Sequence, residues 1–201
     1  MSDGRYSFLI DTYRTERLKT LSVWAQIGDD RMHVRPEPRA RTPREHMIHQ
    51  CQSEDAWMSS MLGIETGLSA LPADESRVMF LAHYAETSER REVSLIAKPA
   101  SWFEDVTTFF DVKRSRAWVL VRRIAHSAHH RGQLTTYLRL WGGGLFSTYG
   151  PTADTGGLAK NGALVIYRYA SVDDLLEGER SGARAPMLPG PGASPATERG
   201  D

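Results

Sequence analysis

Three of the seven histidines of this 201-residue chain fall within five positions, in the run AHSAHHRGQL at residues 125–134. On a helix, successive residues turn by about 100 degrees, so His126 and His130 share a face while His129 lies about 60 degrees round from His126. An i, i+4 pair of histidines can set two imidazole nitrogens on one metal ion. The same stripe carries Val119 before the pair and Gln133 and Tyr137 after it. Being part apolar and part polar, it suits a partly buried polar site better than a wet surface. The plain alternative is a helix whose histidines face solvent or serve as caps. The residues between the pair are SAH; no glutamate is available as a base, which excludes the HExxH arrangement of zinc proteases.

A metal site needs a third ligand. The candidates are His33 in a loop, His46 and His49 in one helical segment, and His83 in another. In the segment that holds His46 and His49, Met47, Cys51, Met58 and Leu62 form one apolar face. His49, Ser53, Ala56 and Ser60 form an opposite stripe of small residues that lets a facing helix approach. Periodicity leaves both His46 and His49 open. His83 has the ordinary alternative of a satisfied surface or boundary histidine.

The elements that must carry these residues are helical. Apolar positions Ile10, Tyr13, Leu21 and Trp24 recur at helical spacing over residues 6–27. Residues 28–41 contain two prolines and no period, so they are expected as a loop. Thr42, Pro43 and Glu45 then form a capping box with proline at the first helical position, which starts the second helix. A third helix is expected after Asp74, a candidate cap, and ends at the run KPA from Lys98. Residues 98–112 look like an ordered connection with a short strand or helical turn. Residues 113–141 form the longest helical segment, stopped by three glycines at 142–144. Four long amphipathic helices predict an all-α fold, a four-helix bundle over residues 1–142. Residues 143–180, rich in Gly and Thr, with one β-like run at 163–169 and a short capped helix from Ser171, are expected as a mostly irregular extension packed on the bundle. Residues 181–201, rich in Gly, Ala and Pro, are expected as a disordered tail.

Composition narrows the functions. Lys plus Arg and Asp plus Glu are equal at 25 each, so no net field favours nucleic acid. The basic run RPEPRART at residues 35–42 sits among prolines and reads as a solvated loop. The single cysteine, Cys51, excludes an intrachain disulfide and a CxxC motif. No apolar run approaches the ~20 residues of a membrane helix, and the N-terminus lacks the pattern of a signal peptide. A cytoplasmic protein without membrane partners is expected, and an exposed apolar helix face suggests a homodimer.

The run EHMIHQCQSEDAWM (45–58), followed some seventy residues later by AHSAHHRGQL, resembles the DinB-like superfamily of damage-inducible, metal-binding four-helix proteins. The resemblance spans roughly residues 6–141. It implies that His49 joins His126 and His130 as the metal ligands, with Glu54 and Trp57 at the family's downstream positions. It also implies a divalent metal, zinc or nickel, and a metal-dependent enzyme of S-transferase or hydrolase type. Such an enzyme would activate a small thiol, such as bacillithiol or mycothiol, or water, and act on a small-molecule substrate in stress or detoxification. The alternative is a non-catalytic metal-binding or ligand-sensing bundle.

No catalytic residue is assigned. Glu54, Asp55, Arg131, Gln133 and Tyr149 are the candidates for a base or an orienting group. Gln133 falls on the ligand stripe, where it can bond a ligand imidazole or merely pack between helices; Arg131 points off the stripe, as a structural ion pair would. Cys51 reads as a buried core thiol. Trp24, Trp57 and Trp118 read as core, and Tyr149 and Asp154 as part of a lid over the mouth of the bundle.

Overall fold

The computed structural model describes residues 4–191 and is mostly helical. The long helices are α1 (Ser7–Gln26), α2 (Pro43–Ala56), α3 (Arg77–Ile96) and α5 (Arg116–Leu140); a short α4 (Ala100–Glu104) and a C-terminal α6 (Val172–Ser181) accompany them. Both α1 and α2 pack against α3 and α5. Among the described residues, no helix is long and apolar enough to cross a membrane.

The capping box expected at the start of α2 is present. Thr42 Oγ1 accepts from the Glu45 amide, and Glu45 Oε2 accepts from the Thr42 amide at 2.9 Å. Two of the four amide donors left open at a helix start are thereby satisfied, which fixes the register of every later side chain on α2. The third helix begins later than expected. Ser76 is its N-cap position, and Asp74 instead accepts from the Ser76 amide at 2.9 Å, closing the turn before the helix.

The connection before α5 contains both a helical turn, α4, and a two-stranded antiparallel hairpin, β1 (Val106–Phe109) with β2 (Val112–Ser115). The hairpin is the only β-sheet among the described residues, which are otherwise helices and irregular connections. Its β-branched and aromatic residues favour a pleated surface, and so the first residues expected in the long helix are taken into β2. Two bonds clamp its base: the Arg116 amide donates to the Asp105 carbonyl, and Thr107 Oγ1 donates to the Met61 carbonyl at 2.7 Å.

Two apolar clusters make the core. One contains Leu9, Ile10, Tyr13, Met58, Leu62, Phe103, Val119 and Leu120; the other contains Leu21, Trp24, Met47, Cys51, Phe80, Tyr84, Leu134 and Leu138. Glu54, fully buried, joins them: it accepts from Tyr13 Oη at 2.6 Å in one cluster and from Tyr84 Oη at 3.1 Å in the other. The Arg91 and Arg123 guanidiniums lie 3.6 and 3.8 Å from its carboxylate.

After Gly142, which ends α5 with φ +73°, the chain turns back onto α1 and α3. The run 163–169 is not a strand. Ser147 and Ile166 exchange two hydrogen bonds, from the Ser147 amide to the Ile166 carbonyl and from the Ile166 amide to Ser147 Oγ, and no ladder extends from them. The extension is held by Glu179 of α6, which pairs with Arg77 and with Arg168 at 2.8 Å and accepts from Tyr169 Oη at 2.6 Å. Of the tail expected at 181–201, residues 192–201 lie outside the described residues; residues 183–191 have no regular structure, and the Gly190 amide donates to the Asp154 carbonyl.

Candidate metal centre

His126 and His130 stand one turn apart in the middle of α5, and His49 stands in the second turn of α2. Their rings converge. His126 Nε2 lies 3.4 Å from His49 Nε2 and 3.2 Å from His130 Nε2. Each offers one ligand atom within 4.8 Å of the others, so the three can hold a metal ion. Three nitrogens set about 2.0–2.1 Å from one ion with tetrahedral angles would lie about 3.3–3.4 Å from one another. Both spacings from His126 are close to that edge length.

The tautomer of His130 and the neutral state of the three imidazoles suit ligation. His130 Nδ1–H donates to Gln133 Oε1 at 2.9 Å. Nε2 of His130 is then the unprotonated nitrogen, with its lone pair turned toward His126. Burial is the first cause that holds all three imidazoles below their ordinary value of 6.5, His126 at about 3 and His130 at about 4. Neighbouring Arg123 adds to the effect at His126, and Arg41 adds to it at His49 and His130. Metal ligation needs neutral imidazole. His130 is buried, whereas His49 and His126 are partly open to solvent.

The helix register that brings His49 to α5 runs through every fourth residue. His49, Ser53 and Trp57 face the stripe that holds Arg123, His126 and His130, while Ala56 and Ser60 are exposed. The buried Arg123 ties the two helices beside the histidines, donating to Ser53 Oγ at 2.8 Å and to Ser127 Oγ at 2.9 Å. Its guanidinium also lies 5.5 Å from the centre of the Trp57 ring. The expected stripe of small residues is therefore in error by one position. An aromatic residue continues it where Ala56 was expected.

His46 is buried but turns another way. Its ring packs against His130 and Tyr137 at centroid distances of 5.3 and 5.6 Å, and its Nε2 is 3.5 Å from Tyr137 Oη. His83 pairs with the Ala70 carbonyl at 3.2 Å, and His33 and His129 are exposed.

Other candidates take structural roles. Glu54 is the buried acceptor described above, and Asp55 accepts from Arg91 at 3.0 Å, so neither carboxylate is free as a base. Arg131 is buried in a pair with Glu16, as its direction off the stripe implied, and Tyr149 Oη contacts both, donating to Glu16 Oε2 at 2.9 Å. Asp154 pairs with Arg139 and accepts from the Leu145 amide at 2.7 Å. These contacts place both residues of the expected lid on the α1 and α5 side and not against the histidines. Cys51 is a buried thiol whose pKa burial pushes well up.

Trp57 and Trp118 depart from the expected core. Trp24 is fully buried, but Trp118 is exposed and Trp57 lies against His126, ring centroids 5.2 Å apart and planes 33° apart. Trp57 opens a five-residue π-helical turn, Trp57–Met61, that widens the end of α2. Such turns recur at functional sites. The every-fourth-residue spacing from His49 to Trp57 is the sequence signal for its position.

The DinB family profile matches residues 1–156. The fold is similar to the crystal structure of a DinB-like protein from Bacillus cereus ATCC 10987, with a TM-score of 0.59 and 19% identity, over 69% of this chain and 95% of that one. No curated protein matches the chain in sequence.

Proposed function

The chain belongs to the DinB family, and on that premise we propose that His49, His126 and His130 bind one divalent ion, zinc or nickel, at the centre of a four-helix bundle of α1, α2, α3 and α5. The observation that carries this reading is the convergence of three Nε2 atoms at spacings of 3.2 and 3.4 Å. Imidazole suits both metals, and three protein ligands leave at least one position open for exchange. Bound there, the ion would act as a Lewis acid that lowers the pKa of a small thiol or water.

Within that reading the protein's own residues hold and orient. Gln133 keeps His130 in the Nδ1–H tautomer, Arg123 keeps α2 beside α5, and burial keeps the imidazoles neutral. The S-transferase reading is preferred to the hydrolase one. Both carboxylates near His49 are engaged, Glu54 by two tyrosines and Asp55 by Arg91. A thiol needs less help from a base than water does, because it is the more acidic and the more nucleophilic of the two.

The deciding experiment is elemental analysis of untagged protein, wild type against His126→Ala, followed by turnover of a small thiol with a model electrophile. About one zinc or nickel per chain, lost in the variant, supports the centre. Metal without turnover of any thiol or water substrate supports the non-catalytic reading. A wild type that takes up no metal after reconstitution ends both.

A further inference from the structure

The β1–β2 hairpin turns through Phe110 and Asp111, since Phe109 pairs with Val112. Phe110 has φ +52° and is the one non-glycine residue with positive φ among the described residues. Two-residue hairpins place glycine or asparagine at such positions, because a side chain there is strained. The phenyl ring does not recover that cost by burial: Phe110 is 67% exposed. A bulky residue kept both strained and exposed points to a role outside folding.

Its position supplies the role. The Phe110 ring stands 6.0 Å from Trp57 and 4.7 Å from Phe109, nearly perpendicular to both, and Phe109 is 5.1 Å from Trp57. Trp57 in turn lies against His126. The aromatic surface thus runs without a break from the partly open side of the three histidines to the hairpin tip. The clamp at Asp105, Arg116 and Thr107 holds the tip in place.

We propose that Trp57, Phe109 and Phe110 form a recognition wall for a planar aromatic group on the molecule whose reacting atom meets the three histidines. Aromatic rings meet such a group edge to face, a contact that a saturated ring of the same size does not reproduce. The proposal rests on the metal-centre reading given above.

The test uses full-length protein loaded with cobalt(II) as a coloured stand-in for the native ion. Benzyl mercaptan and cyclohexylmethanethiol are titrated in, and each dissociation constant is read from the thiolate-to-cobalt absorption. Wild type should favour benzyl mercaptan about fivefold, the size expected of edge-to-face contacts. Phe110→Gly should lose most of that preference while its melting temperature does not fall, since glycine accepts the positive φ. A preference of the same size in Phe110→Gly, or none in wild type, overturns the proposal. So does a variant that changes oligomeric state by light scattering, which would make Phe110 a contact between copies of the chain. Failure of the protein to bind cobalt at all is a different result, because it removes the metal centre and the wall's purpose with it.

Discussion

His130 donates its Nδ1–H to Gln133 Oε1 at 2.9 Å, three residues along the same helix, and so presents its bare Nε2 to His126. The amide orients His130 from outside the cluster of ring nitrogens. Gln133→Leu should lower zinc affinity about 10- to 100-fold, the usual cost of losing a partner that orients a ligand histidine. Gln133→Glu, which restores an acceptor, should recover most of it. Competition with a chromophoric chelator measures both, and equal affinity in wild type and Gln133→Leu would rule the role out.

His46 offers a contrast with His49, one helical turn away. Its ring faces Tyr137 and the edge of His130, not the point where the three nitrogens meet. His46→Gln should therefore keep about one metal ion per chain, whereas His49→Gln should lose it. Elemental analysis after gel filtration separates the two, and loss of metal in both would mean that His46 belongs to the ligand set.

Glu54 should matter to stability before it matters to chemistry. Glu54→Gln keeps the shape but removes the negative charge that faces Arg91 and Arg123, both fully buried. Arg91 keeps Asp55 at 3.0 Å, so the charge left without its counter-charge is that of Arg123, and breaking such a buried pair costs about 3–5 kcal/mol. Urea unfolding should show a loss of that order, in the metal-free protein as well as the loaded one. A loss below 1 kcal/mol would mean that Arg123 finds other partners.

Acid should weaken the metal-free protein earlier than carboxylate protonation alone would. Burial holds His46 and His126 down to about 3 and His130 to about 4, against 6.5 for a free imidazole. Between those values the unfolded chain binds protons that the folded chain does not, so unfolding free energy decreases as pH falls below about 6.5 and is unaffected by these groups above it. Chemical denaturation of metal-free protein from pH 7.5 to 4.5 measures the slope, and imidazole NMR resonances show whether the three rings stay neutral at pH 5.

Much of this site was legible from local rules. The HxxxH spacing alone places His126 and His130 on one face, because backbone hydrogen bonding sets the helical turn whatever surrounds it. The Thr42, Pro43 and Glu45 cap is equally local, and it sets the start of α2 without any tertiary contact. The choice between His46 and His49 was not local; family resemblance pointed to His49, and the packing of α2 on α5 brings its ring to His126.

The remaining features depended on residues far apart in the chain. Glu54 has the composition of a candidate base, and only the meeting of Tyr13, Tyr84, Arg91 and Arg123 around it turns it into a buried anchor. Trp57 has the composition of a core residue, yet the π-helical turn and the hairpin put it between His126 and Phe110. Tyr149 belongs to a segment rich in glycine that suggested a lid, and its contacts with Glu16 and Arg131 fix it elsewhere. Hydrophobic period and capping are properties of a few neighbouring residues, so the long helices and the paired histidines follow from local sequence alone. Whether a buried polar or aromatic side chain supports the core or lines the site depends on which distant partners reach it, and that was decided by tertiary packing.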